Sequence, residues 1–190
     1  MIIETYMANL STKRKLTLSC FATLMVFAMA ACSSIERSYD YQGYKKMLEK
    51  KEFIVEETKA VAEITTNGEK STIEYTYDAE ESMRWVGIHI EEEDGEEVGI
   101  KTYQPLNLKD YVSALPGTAT FLKRDVDDIF KFYAKKDEYR ITIKNQTEDG
   151  LQTGESKYNK EGLCIYSYSA LKDKNGLIKN EETINYSYSK

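Results

Sequence analysis

The dipeptide Asn67-Gly68 constrains the fold of this 190-residue chain strongly, because it lies between two segments in which apolar and polar residues alternate. Asn-Gly favours a type I′ turn, whose two central residues both need positive φ. A two-residue turn there pairs Ala62 with Ile73 and Ala60 with Tyr75, so the apolar residues of both strands share one face. The sequence therefore predicts an antiparallel hairpin, with its first strand beginning near Phe53.

Two more hairpins are predicted further along the chain. Residues 83–103 have apolar side chains on both faces of their strands and an acidic tip around Asp94-Gly95. Such a strand is covered on both sides or faces a cavity on one side.

The last predicted hairpin has its turn at Asn175-Gly176, with a loop of about two or four residues. Either loop sets Ile165 opposite Tyr186 and Leu163 opposite Tyr188, with Cys164, Tyr166, Tyr168, Thr183 and Asn185 on the other face.

Helical spacing replaces this alternation in two regions. Within residues 39–51, apolar side chains recur on one helical face: Tyr41, Tyr44, Met47 and Leu48. Residues 106–135 predict two short helices, the first ending at Pro116-Gly117 and the second beginning at Asp125 as its N-cap. Together these patterns predict an α+β domain in which a few short helices lie on one side of a curved antiparallel sheet.

The first 31 residues have the order of a secretory signal: a basic cluster at residues 13–15, an uncharged stretch from Leu16 to Ala31, and small residues before Cys32. The uncharged stretch is shorter than the roughly 20 apolar residues that span a bilayer, which disfavours a permanent transmembrane helix. A start at Met7 instead of Met1 removes Glu4, an unusual acidic residue ahead of the basic cluster.

The segment 29–34 (MAACSS) resembles the lipobox of bacterial lipoproteins, with Met29 where that family usually has Leu or Val. The resemblance implies a signal peptide over residues 1–31, lipid on Cys32, a tether over 32–38 and a single domain over 39–190. It also implies a membrane-anchored location outside the cytoplasm, in the outer membrane if the source is Gram-negative. Ordinary secretion after an Ala-x-Ala-like site is the alternative.

Charge and cysteine content exclude several classes of function. Cleavage before Cys32 removes three of the 26 basic residues and one of the 32 acidic ones, so the mature chain carries about −8. That charge disfavours nucleic acid and anionic lipid surfaces as partners. Cys164 would be the one free cysteine, and with His89 as the only histidine it cannot complete a zinc site.

No catalytic motif or cofactor fingerprint follows Cys32. His89 could act as a base toward Ser82 or Ser113, but no G-x-S-x-G elbow flanks either serine. The acidic tip over residues 91–97 lacks the spacing of a calcium loop, so it is interpreted as a solvated hairpin tip. The sequence therefore predicts no catalytic residue, no metal ligand and no cofactor.

The order of the elements resembles the LolA/LppX-like family of envelope lipid-handling proteins over nearly all of residues 39–190. The shared features are the lipobox, an N-terminal helix, an antiparallel run with an interior tryptophan, KTYQP followed by helices, and a final meander through YNKEGLCIYSYS and NGLIKNEETINYSYS. The resemblance implies a half-barrel sheet around helices and a hydrophobic cavity, without catalytic residues.

Binding or carriage of an apolar ligand, a lipid or a lipidated chain, is the function expected from these features. The two-sided apolar strand and the abundant tyrosines suit the wall of a pocket, whose candidate residues are Trp85, Ile88, Tyr166 and Tyr168. A structural or protein-interaction lipoprotein with a filled core is the alternative, and an envelope hydrolase is a third hypothesis.

Overall fold

The computed structural model describes the backbone of residues 35–78, 84–93 and 96–190, and the side chains of these residues except 78, 84 and 88–103. Cys32 and the tip at Asp94-Gly95 therefore lie outside the described residues. All of the helices and strands belong to one unit, Arg37–Lys190.

Ten antiparallel strands form one open sheet in the described part of the chain. Their order is β1-β6-β7-β8-β9-β10-β2-β3-β4-β5, so two meanders are joined where the last strand pairs with β2. The prediction of an α+β domain made mostly of antiparallel sheet is confirmed. The strands are β1 Arg37–Tyr39, β2 Lys59–Thr66, β3 Glu69–Asp78, β4 Arg84–Glu93, β5 Glu96–Gln104, β6 Phe130–Lys135, β7 Glu138–Gln146, β8 Leu151–Tyr158, β9 Cys164–Lys172 and β10 Ile178–Ser189.

The β2–β3 hairpin has the predicted turn and register. Asn67 and Gly68 have φ values of 51° and 91°, and Ala62 pairs with Ile73. The prediction that the first strand begins near Phe53 was wrong, because β2 begins at Lys59. The start of β2 coincides with the end of β10, since Ser189, the last residue of β10, pairs with Lys59.

The β4–β5 hairpin pairs Glu93 with Glu96, which places its connection at Asp94-Gly95 as the sequence predicted. The β9–β10 hairpin has the predicted register from Glu182–Ser169 to Asn185–Tyr166, but its loop has another length. Asp173 N donates to Leu177 O at 2.8 Å, so three residues form the loop. A register shift between Ile178 and Asn180 restores the predicted pairing.

A second irregularity changes the start of β9. The register shifts between Lys157 and Tyr158, which pair with Tyr166 and Cys164, so Ile165 is an extra residue. The predicted pairing of Ile165 with Tyr186 does not form, and the Ile165 side chain is 41% exposed. Cys164 instead joins the buried core. The sequence pattern did not reveal this bulge, because strict alternation continues through it.

Three helices are described: α1 Tyr41–Glu49, α2 Leu108–Phe121 and α3 Val126–Ile129. The predicted N-terminal helix is confirmed as α1, and its N-cap Asp40 accepts a hydrogen bond from Gly43 N at 2.6 Å. The predicted helix from Asp125 was wrong beyond its first turn. Phe130 and Phe132 are buried on alternate positions of β6 instead, because β6 gains β7 as a hydrogen-bonding partner.

The prediction that α2 ends at Pro116-Gly117 was also wrong, since α2 continues through Pro116 to Phe121. A proline inside a helix leaves the carbonyl four residues earlier without its usual N–H donor. That carbonyl is Val112 O, and Tyr41 Oη of α1 donates to it at 3.4 Å. A tertiary contact thus supplies the donor that the proline removes.

One face of the sheet carries the core. Side chains of α1 and α2 pack with those of β6 to β8 in a first cluster, which includes Tyr44, Leu108, Val112, Phe132 and Tyr158. A second cluster lies over β2 to β4 and comprises Ala60, Ala62, Tyr75, Trp85, Leu106 and Leu163. Tyr186 of β10 packs against both clusters, so the two form neighbouring parts of one inner face.

Replacing Gly68 with valine should lower the free energy of unfolding by about 1–3 kcal/mol, because a β-branched side chain clashes at positive φ. Nothing lies within 4 Å of the position of an added Cβ at Gly68, so only backbone strain is tested. Gly117→Val, in the helix and equally open, is the matched control and should cause no such loss. Urea unfolding followed by Trp85 emission measures the stability of both variants. Equal midpoints in wild type and Gly68→Val would contradict the placement of the turn at Asn67-Gly68.

Candidate functional site

Trp85 of β4 lies on the inner face of the sheet and has no exposed surface. Its ring centroid is 5.2 Å from that of Tyr77 and 5.5 Å from that of Tyr188. The indole Nε1–H donates to Asn107 Oδ1 at 3.0 Å. Aromatic packing and a satisfied N–H are what a core tryptophan needs.

The space beside Trp85 is occupied as well. Gly87, two residues further along β4, lies under the ring of Tyr75, and a Cβ added to Gly87 would be 2.6 Å from Tyr75 Cε1. Tyr75 itself is buried. In the described residues, tyrosine rings therefore fill the place where the sequence predicted an apolar pocket.

The other predicted ligand-binding residues do not join Trp85. Ile184 of β10 belongs to the inner-face cluster around Trp85 and pairs with Ser167. Because side chains alternate along a strand, Tyr166 and Tyr168 point to the opposite, outer face. Ile88 pairs with Lys101 in the β4–β5 ladder, and its side chain lies outside the described residues. Trp85 and the two tyrosines therefore cannot line one pocket.

Tyr166 belongs to a polar row on the outer face. The cross-strand partners are Tyr133, Arg140, Lys157 and Tyr166, on β6 to β9 in turn. The Arg140 guanidinium lies 4.1 Å from the Tyr133 ring centroid, and Lys157 Nζ lies 5.0 Å from that of Tyr166. Glu155 accepts from Lys157 at 2.9 Å. These cation–π contacts and ion pairs account for the half-exposed rings.

Buried hydroxyl and thiol groups lie between the helices and the sheet. Burial raises the pKa of Cys164 to about 12 and that of Tyr111 to about 12. Burial also raises the pKa of Tyr44 and Tyr158. A thiol with so high a pKa is almost wholly protonated at neutral pH, and the thiolate is the nucleophile. Cys164 is thus a buried, protonated member of the first core cluster.

The two ends of the sheet have different surfaces. We call the end where β1 begins the Arg37 end, because Arg37 pairs with Ala134 close to the β6–β7 turn. The opposite, distal end carries the turns at residues 67–68, 147–150 and 173–177. A polar cavity lies at each end.

At the Arg37 end, a cleft of about 570 Å³ is lined by charged residues and one isoleucine: Glu52, Ile54, Glu56, Glu57, Asp137, Lys160, Glu161 and Lys190. Its lysines are paired within it. Lys160 Nζ lies 3.3 Å from Glu161 Oε1, and Lys190 bonds to Glu56. The cleft therefore has the character of a solvated ion-pair surface.

At the distal end, a cavity of about 290 Å³ has a mostly uncharged polar lining, formed by Thr147, Asp149, Gln152, Ser169, Ala170, Leu171 and Asn180. We call it the distal cavity. No pattern in the sequence marks these residues, since single polar residues near strand ends are common and carry no local signal. Strand register alone brings them together.

Within the described residues, no group of three or more His, Cys, Asp and Glu side chains is placed to hold a metal ion. The described helices are also too short or too polar to cross a bilayer. Comparison of the sequence with protein-family models and with curated proteins found no match. The side chains and cavities of the described residues are therefore the evidence for a function.

Asn107→Ala should lower the free energy of unfolding by about 1–3 kcal/mol, because it leaves the buried Trp85 N–H without an acceptor. Asn107 precedes α2 but makes no side-chain capping bond, so lost capping does not contribute. Asn185→Ala, on the exposed outer face, is the matched control and should change stability little. Chemical denaturation monitored by Trp85 fluorescence compares the two, and equal stabilities would show that the Trp85–Asn107 bond is unimportant.

Proposed function

We propose that the mature protein is an envelope lipoprotein, anchored through lipid on Cys32, whose folded domain binds partners or ligands at its surface. The alternative, carriage of an apolar ligand inside a half-barrel, needs a cavity between the sheet and the helices. The packing of Trp85 is the observation that supports the first of these. Its side chain is fully buried against tyrosine rings where the carrier hypothesis expects a ligand.

The inner face of β8 and β9 also favours surface binding over carriage of an apolar ligand. Ser156 and Ser167 lie on it with their hydroxyls 3.4 Å apart, and Gly154 and Ser169 pair on the next row. A wall for an acyl chain is predominantly hydrophobic. Small polar residues in the middle of this face favour a domain that does not enclose lipid.

The fold retains one feature expected of the half-barrel family. A long antiparallel sheet carries α1 and α2 on one face, and the helices supply much of the first core cluster. We propose that the sheet curves around these helices as a half-barrel with a filled interior. The domain then shares its architecture with lipid-handling proteins, while it binds its partners or ligands at its surface and not in the interior.

Anchoring is tested by metabolic labelling with a radioactive fatty acid. Cys32→Ala should abolish incorporation and leave an uncut precursor, because lipidation precedes cutting in the proteins that this signal resembles. Cys20→Ala, inside the segment removed on cleavage, is the matched control and should be labelled and processed normally. Labelled, processed protein from Cys32→Ala would contradict the anchor.

The filled interior is tested by comparing native and denatured masses of the protein purified from its own membrane in detergent. The denatured mass contains the covalent anchor only, so the difference between the two masses is any bound ligand. We expect no difference once detergent is removed in the gas phase. A stoichiometric lipid in the native spectrum would instead support the carrier hypothesis.

A further inference from the structure

The chain enters the folded domain at one end of the sheet. β1 runs antiparallel to β6, so the chain before Arg37 leaves at the end that carries the β6–β7 turn. Five peptide steps separate Cys32 from Arg37, which is about 18 Å of extended chain. β7 then runs from Glu138 to Gln146, a rise of about 27 Å. A lipid on Cys32 would therefore tether the domain through its Arg37 end, and the distal end is the one farther along the strands from that attachment.

The distal cavity is built on neighbouring strands. Gln152 of β8 pairs with Leu171 of β9, and Leu171 pairs with Asn180 of β10. These three side chains therefore form one cross-strand row on the same face. Ser169 lies on the same face of β9, two residues away from Leu171. The row is held by sheet hydrogen bonds and not by a loop.

The β7–β8 turn supplies the other wall. Thr147 Oγ1 and Gln146 Nε2 both donate to Gly150 O at 3.0 Å, which holds the turn closed. Gly150 has a φ of 144°, and a Cβ there would lie 1.9 Å from Lys172 O. Only glycine lets this turn approach β9 so closely. The cavity is therefore largely formed before any ligand binds, which lowers the entropic cost of binding.

The lining has the chemistry to recognise hydroxyl groups. Gln152 and Asn180 carry amides that both donate and accept, Ser169 carries a hydroxyl, and Asp149 can only accept. Within the described residues, the side chains of Gln152, Ser169 and Asn180 make no hydrogen bonds, so their capacity is free for a ligand. No lysine or arginine lines the cavity. Arg124, near one end of the row, donates to Asn145 Oδ1 at 3.1 Å.

We propose that the distal cavity binds a neutral carbohydrate. Amide, hydroxyl and carboxylate groups match the mixed donors and acceptors of sugar hydroxyls, and Leu171 offers an apolar surface to the C–H face of a ring. An anionic ligand would lack a cation in the lining and would meet Asp149. The volume of about 290 Å³ is near the lower limit of small-molecule pockets, which suits one sugar unit of a longer chain. The attachment through the Arg37 end rests on the proposed lipid anchor, whereas the cavity itself does not.

Binding of a neutral carbohydrate is tested by isothermal titration calorimetry of the full chain in detergent, with three probes. Two are neutral, the trisaccharide of N-acetylglucosamine and maltotriose, and one is anionic, trigalacturonate. At least one neutral probe should bind, and trigalacturonate should bind at least about tenfold more weakly. Asn180→Ala and Gln152→Ala should each weaken binding about tenfold, the usual effect of removing one ligand hydrogen bond.

Asn185→Ala, on the same strand as Asn180 but on the outer face, is the matched control and should bind like wild type. An unchanged Trp85 emission spectrum in each variant shows that it is folded. Absence of binding by both neutral probes, preference for trigalacturonate, or equal weakening by Asn185→Ala would overturn the proposal. Cys32→Ala should bind the saccharide as wild type does, so loss of the anchor and loss of the sugar site give different results.

Discussion

The pairing of β10 with β2 is the interaction on which the rest of the structure depends. Eight residue pairs join the last strand of the chain to the first long one, from Lys59–Ser189 to Thr66–Glu182. Without it, β2 to β5 and β6 to β10 would be two separate meanders, each with an additional open edge. The same pairing brings Tyr188 to Trp85, so it also completes the second core cluster.

Polar contacts then fix the helices over the sheet. Tyr41 is the central residue, since its backbone N–H donates to Asp127 Oδ1 at 2.8 Å and its hydroxyl donates to Val112 O. Tyr41 therefore ties α1 to α2 through its side chain and to Asp127 of α3, just before β6, through its backbone. The bond from the hydroxyl satisfies the buried Val112 carbonyl, which is the usual condition for burying such a group.

These constraints also explain why the two faces and two ends of the sheet differ in chemistry. In the described part of the chain, aromatic rings and the helices pack over the inner face, so a ligand placed among them would have to displace packed side chains. On the outer face, the cations beside Tyr133 and Tyr166 occupy ring surface that a ligand would use. The distal cavity differs because, among the described residues, the side chains of Gln152, Ser169 and Asn180 in its lining make no hydrogen bonds.

Local chemistry was sufficient to predict the antiparallel α+β class, the helix over residues 41–49 and the Asn67-Gly68 register, because turn type and alternation act over a few residues. It failed where a distant partner decided the outcome. Phe130 and Phe132 form a strand because β7 pairs with them, and α2 passes Pro116 with a donor from Tyr41, 71 positions away in the chain.

The candidate sites divide in the same way. The lipobox-like segment at Cys32 is a local pattern that the sequence alone displays, and lipidation there stays a prediction. The grouping of Trp85 with Tyr166 and Tyr168 was wrong because only the strand register assigns their faces. Gln152, Leu171 and Asn180 carry no shared motif and become neighbours only across three strands. Composition and alternation thus determined what kind of sheet this chain forms, and tertiary pairing decided which side chains share a face, because hydrogen bonds between distant strands set the register.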